Sequence, residues 1–228
     1  MCGAQHLGSV AAAIDVAVDN GFILDIDGTI WDSTNIVSRA WNRAARDSGS
    51  LRKETITANL LKTQFGKPMD EIADFVFPED TPEMKKRIME LCCAYEHEEL
   101  YKDPCRIDYP GVVDTVREMS GHFPFFIVSN CQKGYIELVC EKLGITGFIS
   151  DSECFGNTGK GKADNIADLV KRNGLKYPVY IGDTDGDRIA CEKAGVPFIF
   201  AEYGFGETKE TLTAATVSSF DEIRALFC

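Results

Sequence analysis

Two short strings place carboxylates where they can do chemistry. Phe22-Ile23-Leu24-Asp25-Ile26-Asp27-Gly28-Thr29 runs apolar residues into a pair of aspartates. Further on, Tyr180-Ile181-Gly182-Asp183-Thr184-Asp185-Gly186-Asp187 does the same. Carboxylates this close repel one another, so each string requires a cation or a shared proton. One carboxylate at such a site is free to act as a nucleophile, and all-oxygen ligands favour Mg²⁺. Asp185-Gly186 hints at a calcium loop, but the downstream bidentate Glu of an EF-hand is missing. Either string alone fits a capped turn. Both ending strands of one parallel sheet would gather Asp25, Asp27, Asp183 and Asp187 at one sheet edge.

Two weaker signals accompany them. Ser129-Asn130 directly follows the apolar Phe126-Ile127-Val128. A hydroxyl, an amide and backbone N–H groups there could hold an anion, or simply make a turn. Gly159-Lys160-Gly161-Lys162 precedes a predicted helix beginning near Asp164. A lysine at a helix N-terminus can hold a phosphate with help from the helix dipole, although alone it reads as a solvated basic turn. The Gly-Lys-Ser/Thr ending of a nucleotide-binding P-loop is lacking.

The elements that must position these residues follow from hydrophobic patterning. Residues 21–25 and Val179 to Ile181 read as short buried strands, as do Phe123 to Val128, Phe148-Ile149 and Phe198 to Ala201. Helices are predicted from Val112 to Ser120, Gly134 to Leu143, Asp164 to Arg172, Asp187 to Ala194 and Phe220 to Phe227. Strands alternating with helices imply right-handed βαβ units and a doubly wound parallel sheet. Between Ser33 and Asp108 the pattern is helical throughout. Ile36, Ala40 and Ala44 mark one helix, Thr55 to Phe65 a second, and Met69, Ile72, Phe75 and Val76 a third. Thr81-Pro82-Glu83 is a helix start followed by Met84, Ile88, Leu91, Cys92 and Tyr95. Residues 1–32 and 109–228 therefore form an α/β domain, and 33–108 an all-helical insertion. Residues 1–20 support no more than a short helix or a loose arm.

The 228 residues are enough for one domain with an insertion. A formal charge of −12 argues against a nucleic-acid partner, although a local metal and a lysine can still attract a small anion. Nine cysteines lie without a repeated spacing and without Cys-x-x-Cys, as expected of reduced thiols in a cytoplasmic protein. No Lys or Arg precedes Arg39, Asp15 interrupts the first apolar stretch, and nothing approaches a membrane span. A secretory signal is thus not expected.

The order and spacing of the four sites resemble the haloacid dehalogenase-like superfamily, from about residue 21 to the C-terminus. The resemblance is closest to its phosphoglycolate phosphatase-like branch. It rests on Asp27-Gly28-Thr29-x-x-Asp32-Ser33, on Ile181-Gly182-Asp183-Thr184-x-x-Asp187 with Ala194-Gly195, and on Tyr203-Gly204-Phe205-Gly206. It implies a Rossmann-like core with a helical cap, and a Mg²⁺-dependent phosphatase acting on a small phosphorylated metabolite. Asp25 would be the nucleophile that becomes an aspartyl-phosphate. Asp27 would be the general acid/base, with its backbone carbonyl on the metal. Thr29, Ser129, Asn130 and Lys162 would hold the phosphate, Lys162 being preferred to Lys160. Asp183 would bind Mg²⁺ directly, and Asp187 through water or as an orienting group.

Departures from the family pattern narrow the reaction. Asp27 argues against a dehalogenase, which does not need an acid there. A β-phosphoglucomutase-like mutase would carry a histidine where this chain has Val37, although Trp41 matches. A non-catalytic phosphate-binding relative should have lost an acid, and a receiver domain would not carry Asp-x-Asp-Gly-Thr ahead of a helical insertion. His6, His97 and His122 lie outside every motif. Cys131 reads as a small buried residue or as an oxidation-sensitive thiol near the pocket. Phe65-Gly66-Lys67-Pro68-Met69 is the expected cap loop, with Lys67 available to a second anionic group on the substrate. A monomer or a homodimer is compatible with all of this.

Overall fold

The computed structural model describes residues 21–208 and 213–227. The expectation for residues 1–20 lies outside them. Six parallel strands form one sheet in the order β3-β2-β1-β4-β5-β6. They are β1 (Phe22–Leu24), β2 (Phe125–Ser129), β3 (Ile149–Cys154), β4 (Val179–Gly182), β5 (Phe198–Ala201) and β6 (Ala215–Val217). Every residue of β1, β2, β4 and β5 is buried, which is why they read as unbroken apolar runs rather than alternating ones. Phe22 stacks on Phe125, with ring centroids 5.1 Å apart.

The chain leaves β1 through four helices before it re-enters the sheet at β2. These are α1 (Thr34–Ser48), α2 (Ala58–Lys62), α3 (Met69–Val76) and α4 (Pro82–Lys102). α1 buries Ile36, Val37, Ala40, Trp41 and Ala44, and α4 buries Ile88, Met89, Cys92 and Leu100. Their apolar side chains belong to the same continuous core as β1 and β2. Thr81 caps α4 by accepting from the Met84 N–H, and Pro82 occupies its first turn, where no amide donor is needed. The remaining helices are α5 (Val112–Met119), α6 (Tyr135–Leu143), α7 (Phe155–Thr158), α8 (Lys162–Arg172), α9 (Asp185–Ala194) and α10 (Glu222–Phe227).

Several expected boundaries move, each for a local reason. The helix expected over Thr55 to Phe65 shrinks to α2, because the Thr57 hydroxyl accepts from the Leu60 N–H and sets the start. Phe75 is not a core residue: it is 52% exposed, whereas Ile72, Ala73 and Val76 of the same helix are buried. α9 begins at Asp185 rather than Asp187, because Thr184 and Asp187 form a reciprocal capping box. α8 begins at Lys162, two residues before Asp164, and α10 begins at Glu222, after Phe220. β3 is longer than Phe148-Ile149, and its polar Ser-Asp-Ser-Glu sequence hid it. As an edge strand it has no second partner strand, and Arg172 ties its Asp151 and Glu153 at 2.6 Å each. β6 and α7 were not expected at all; three and four residues carry too little pattern.

Candidate active site

The strand order reverses direction at β1. From there the chain extends through β2 and β3 on one side, then returns to β4 on the other. A crevice opens at such a point, beyond the carboxyl ends of the strands. Asp25 leaves β1 there and Asp183 leaves the neighbouring β4. Asp187 follows from the first turn of α9. The carboxylates of Asp25, Asp183 and Asp187 each place an oxygen within 4.8 Å of the others, and all three are buried.

Lys162 enters this group from the first position of α8. Its Nζ lies 2.9 Å from Asp25 Oδ1 and 2.5 Å from Asp187 Oδ1. Lys160, by contrast, is exposed and paired with Asp168. The other oxygen of Asp187 accepts from the Thr184 N–H and hydroxyl at 3.0 and 2.7 Å. Asp183 Oδ2 accepts from the Phe205 N–H at 2.7 Å. Glycine makes room for this carboxylate. A Cβ on Gly28, whose φ is +86°, would sit 2.0 Å from Asp183 Oδ2, and one on Gly204 would sit 2.3 Å from Asp183 Cβ.

Burial pushes the Asp25 carboxyl up to about 6; Lys162 opposes the rise and Asp187 adds to it. Asp183 is raised well above the ordinary carboxylate range by burial, then by Asp187 and Asp25. Burial alone would lower Lys162, but its carboxylate neighbours outweigh that and hold it protonated. With all three carboxylates ionised, one ammonium leaves this group two negative charges over. That excess, with only oxygen donors, fits a hard divalent cation.

Asp27 points elsewhere. Its Oδ1 accepts from Ser33 Oγ at 2.8 Å, Tyr135 Oη at 2.9 Å and Trp31 Nε1 at 3.0 Å. Burial raises its carboxyl to about 7, with the Ser33 and Tyr135 hydrogen bonds opposing and the Asp25 charge adding. All three donors meet Oδ1, which leaves Oδ2 as the oxygen able to carry a proton. Its side chain is not part of the acidic group, so any metal contact from Asp27 would come through the backbone. Thr29 also differs from expectation. It is buried, its hydroxyl is 3.4 Å from Asp183 Oδ1, and it does not line the cavity.

A small cavity of about 30 Å³ lies between the sheet edge and the helices, with Asp25, Asp27, Ser129, Asn130, Cys131 and Lys67 among its walls. Asn130 Nδ2 donates to the Gly66 carbonyl at 2.8 Å, while its buried Oδ1 has no partner among the described residues. The Lys67 ammonium is held by Gln64 Oε1 at 3.0 Å. Cys131 is buried and its thiol is pushed well up, chiefly by burial, which withholds the thiolate that oxidation requires. The small buried residue is the better of its two readings. His97 and His122 are exposed and outside the site, and His6 lies outside the described residues.

Three wall residues escaped sequence reasoning. Tyr135 carried no local signal, and neither did Gln132. Glu96 did carry one: it continues the Ile88, Cys92, Leu100 stripe of α4 at four-residue spacing, an acid on an apolar face.

The chain matches the family profile described as haloacid dehalogenase-like hydrolase over residues 22–201. No curated protein sequence is matched. Among solved structures, a predicted phosphoglycolate phosphatase from Haemophilus somnus 129PT superposes with a TM-score of 0.79 at 20% identity, covering 92% of this chain and 99% of the other. A haloacid dehalogenase-like hydrolase from Streptococcus pneumoniae gives 0.76 at 19%, over 92% and 99%. CbbY from Rhodobacter sphaeroides, in complex with xylulose-1,5-bisphosphate, gives 0.75 at 15%, over 89% and 95%. At these identities the structural likeness speaks for the fold. The match across most of the chain, together with the Rossmann-like core and its inserted helices, places this protein in the haloacid dehalogenase-like hydrolase family.

Proposed function

We propose that the protein is a phosphatase that hydrolyses a small phosphate monoester through an aspartyl-phosphate on Asp25. The observation that carries this reading is the division of labour between two nearby carboxyls. Asp25 is held by a lysine beside a charge-rich group, and Asp27 is held apart with its carboxyl raised to about 7. One suits a nucleophile and the other a general acid at neutral pH.

In this reading an oxygen of Asp25 attacks phosphorus, and the bond to the leaving alcohol oxygen breaks. The Oδ2 proton of Asp27 passes to that oxygen. A water then gives its proton back to Asp27 and attacks phosphorus, releasing inorganic phosphate and restoring Asp25. Lys162 and Ser129 neutralise and position the phosphoryl oxygens, as phosphoryl transfer requires. Asp25, Asp183, Asp187 and the Asp27 carbonyl would hold Mg²⁺, which when bound neutralises phosphoryl charge.

The cavity has room for about one water-sized body. In this reading α1–α4 act as a cap that draws back to admit substrate and closes to exclude water. Tight closure favours a small leaving group of the phosphoglycolate size class and disfavours polymers, in keeping with the −12 charge. We place the enzyme in the cytoplasm, as a monomer or homodimer.

The test is Mg²⁺-dependent phosphate release from a panel of small esters, with Asp25→Asn as the blank. Release lost in the variant and with chelator is the expected outcome. No release from any ester would overturn the reading. Isomerised sugar phosphate without release would point to a mutase.

A further inference from the structure

Glu96 is a buried carboxylate that the reaction above does not use. It is 4% exposed and forms part of the same cavity wall as Asp25, Asp27 and Ser129. Its Oε2 accepts from the Trp41 indole N–H at 2.8 Å, and its Oε1 accepts from the Gln132 amide at 2.8 Å. Both donors are neutral. A carboxylate offers about four lone-pair positions, so acceptor capacity remains. Among the described residues no cation pairs with it, and burial raises its carboxyl against the opposing Gln132 and Trp41 hydrogen bonds. A buried charge in that condition is costly unless something neutralises it.

The reaction itself says what arrives there. Asp25 attacks phosphorus from the sheet side and Asp27 protonates the leaving oxygen. The leaving group therefore extends away from Asp25, toward the helical wall. That wall includes Trp41, Phe65, Met69, Ile72 and Glu96; Lys67 also lines it, with its ammonium held by Gln64 Oε1. A single carboxylate set among apolar and aromatic side chains is a polar group that fixes specificity. Beside a phosphate dianion it would repel the substrate, unless the substrate brought a positive charge of its own.

We propose that Glu96 is a specificity-determining residue that receives an ammonium group carried by the leaving alcohol, so that the substrate is the phosphate ester of a small amino alcohol. This rests on the phosphatase reading above. The ammonium pairs with Glu96 once the helices have drawn back to admit the ester, while the phosphoryl group meets Asp25 and Ser129 on the opposite wall.

The experiment compares O-phosphoethanolamine with propyl phosphate, which match in length and differ by an ammonium against a methyl group. Both are assayed for phosphate release with the wild type and with Glu96→Gln, an isosteric change. The ratio of the two kcat/KM values is expected to fall by about tenfold or more in the variant, mostly through KM, as for loss of a charge-assisted hydrogen bond. Taking the ratio between proteins cancels the different acidities of the two alcohols. Calorimetric binding of both esters to Asp25→Asn, in which Glu96 is intact, gives a second reading free of leaving-group chemistry. There O-phosphoethanolamine is expected to bind about tenfold tighter. Equal binding, or a ratio unmoved by Glu96→Gln, overturns the proposal and leaves the phosphatase standing. Failure to release phosphate from either ester or from the wider panel removes both.

Discussion

Replacing Glu96 by glutamine should make the protein more stable at pH 8 and should do little at pH 5. Burial, with a further contribution from Asp27, raises the Glu96 carboxyl from 4.5 to about 7. In the unfolded chain this group ionises near its ordinary value, so between about pH 5 and 7 the folded state binds the extra proton. Stability therefore falls as pH rises through that window and levels off above it. A gap of two to three decades in proton affinity corresponds to ~3 kcal/mol, which the wild type loses by pH 8. Glutamine never ionises and escapes that loss. It has one carbonyl oxygen for the two donors of Trp41 and Gln132, which costs about 1 kcal/mol at every pH. The informative quantity is thus the change in the difference between the proteins. Urea unfolding of both at pH 5 and pH 8 measures it, because groups remote from Glu96 titrate alike in the two and cancel in the difference. A gap between the proteins that does not change with pH would refute the reasoning, as would a wild type that gains on the variant at high pH.

Three further outcomes follow from the same geometry. Gly28→Ala forces a Cβ to 2.0 Å from Asp183 Oδ2 at a positive φ. It should cost about 1–3 kcal/mol in chelator and weaken Mg²⁺ binding by calorimetry; unchanged affinity would remove the cradle argument. Lys162→Met strips the ammonium from Asp25 and Asp187. The loss should be about 3–5 kcal/mol in chelator, partly recovered on adding Mg²⁺, and a variant as stable as the wild type would contradict the charge count. Lys67→Ala should raise KM selectively for esters bearing a carboxylate or second phosphate, and a uniform change across neutral and charged esters would sink that role.

Much of the site was legible because its residues are neighbours in the chain. Asp25 and Asp27 follow one apolar strand, and Asp183 and Asp187 follow another. A parallel sheet brings such strand ends together whatever lies between them. Lys162 was separable from Lys160 only through the family resemblance, and the structure puts it 2.9 Å from Asp25. The helical insertion was legible from its period, even where α2 proved shorter than expected.

What the sequence by itself determined is the set of buried strands and the acids at their ends, since burial on both faces demands unbroken apolar runs. What only the tertiary structure decided is which way those acids point and what surrounds them. Tyr135 reaches Asp27 across 108 positions, and Gln132 reaches Glu96 across 36. Thr29 turns to Asp183 rather than into the cavity. Hydrogen-bond direction and desolvation depend on neighbours that no local spacing encodes. The raised carboxyls of Asp27 and Glu96 are therefore properties of the packed molecule.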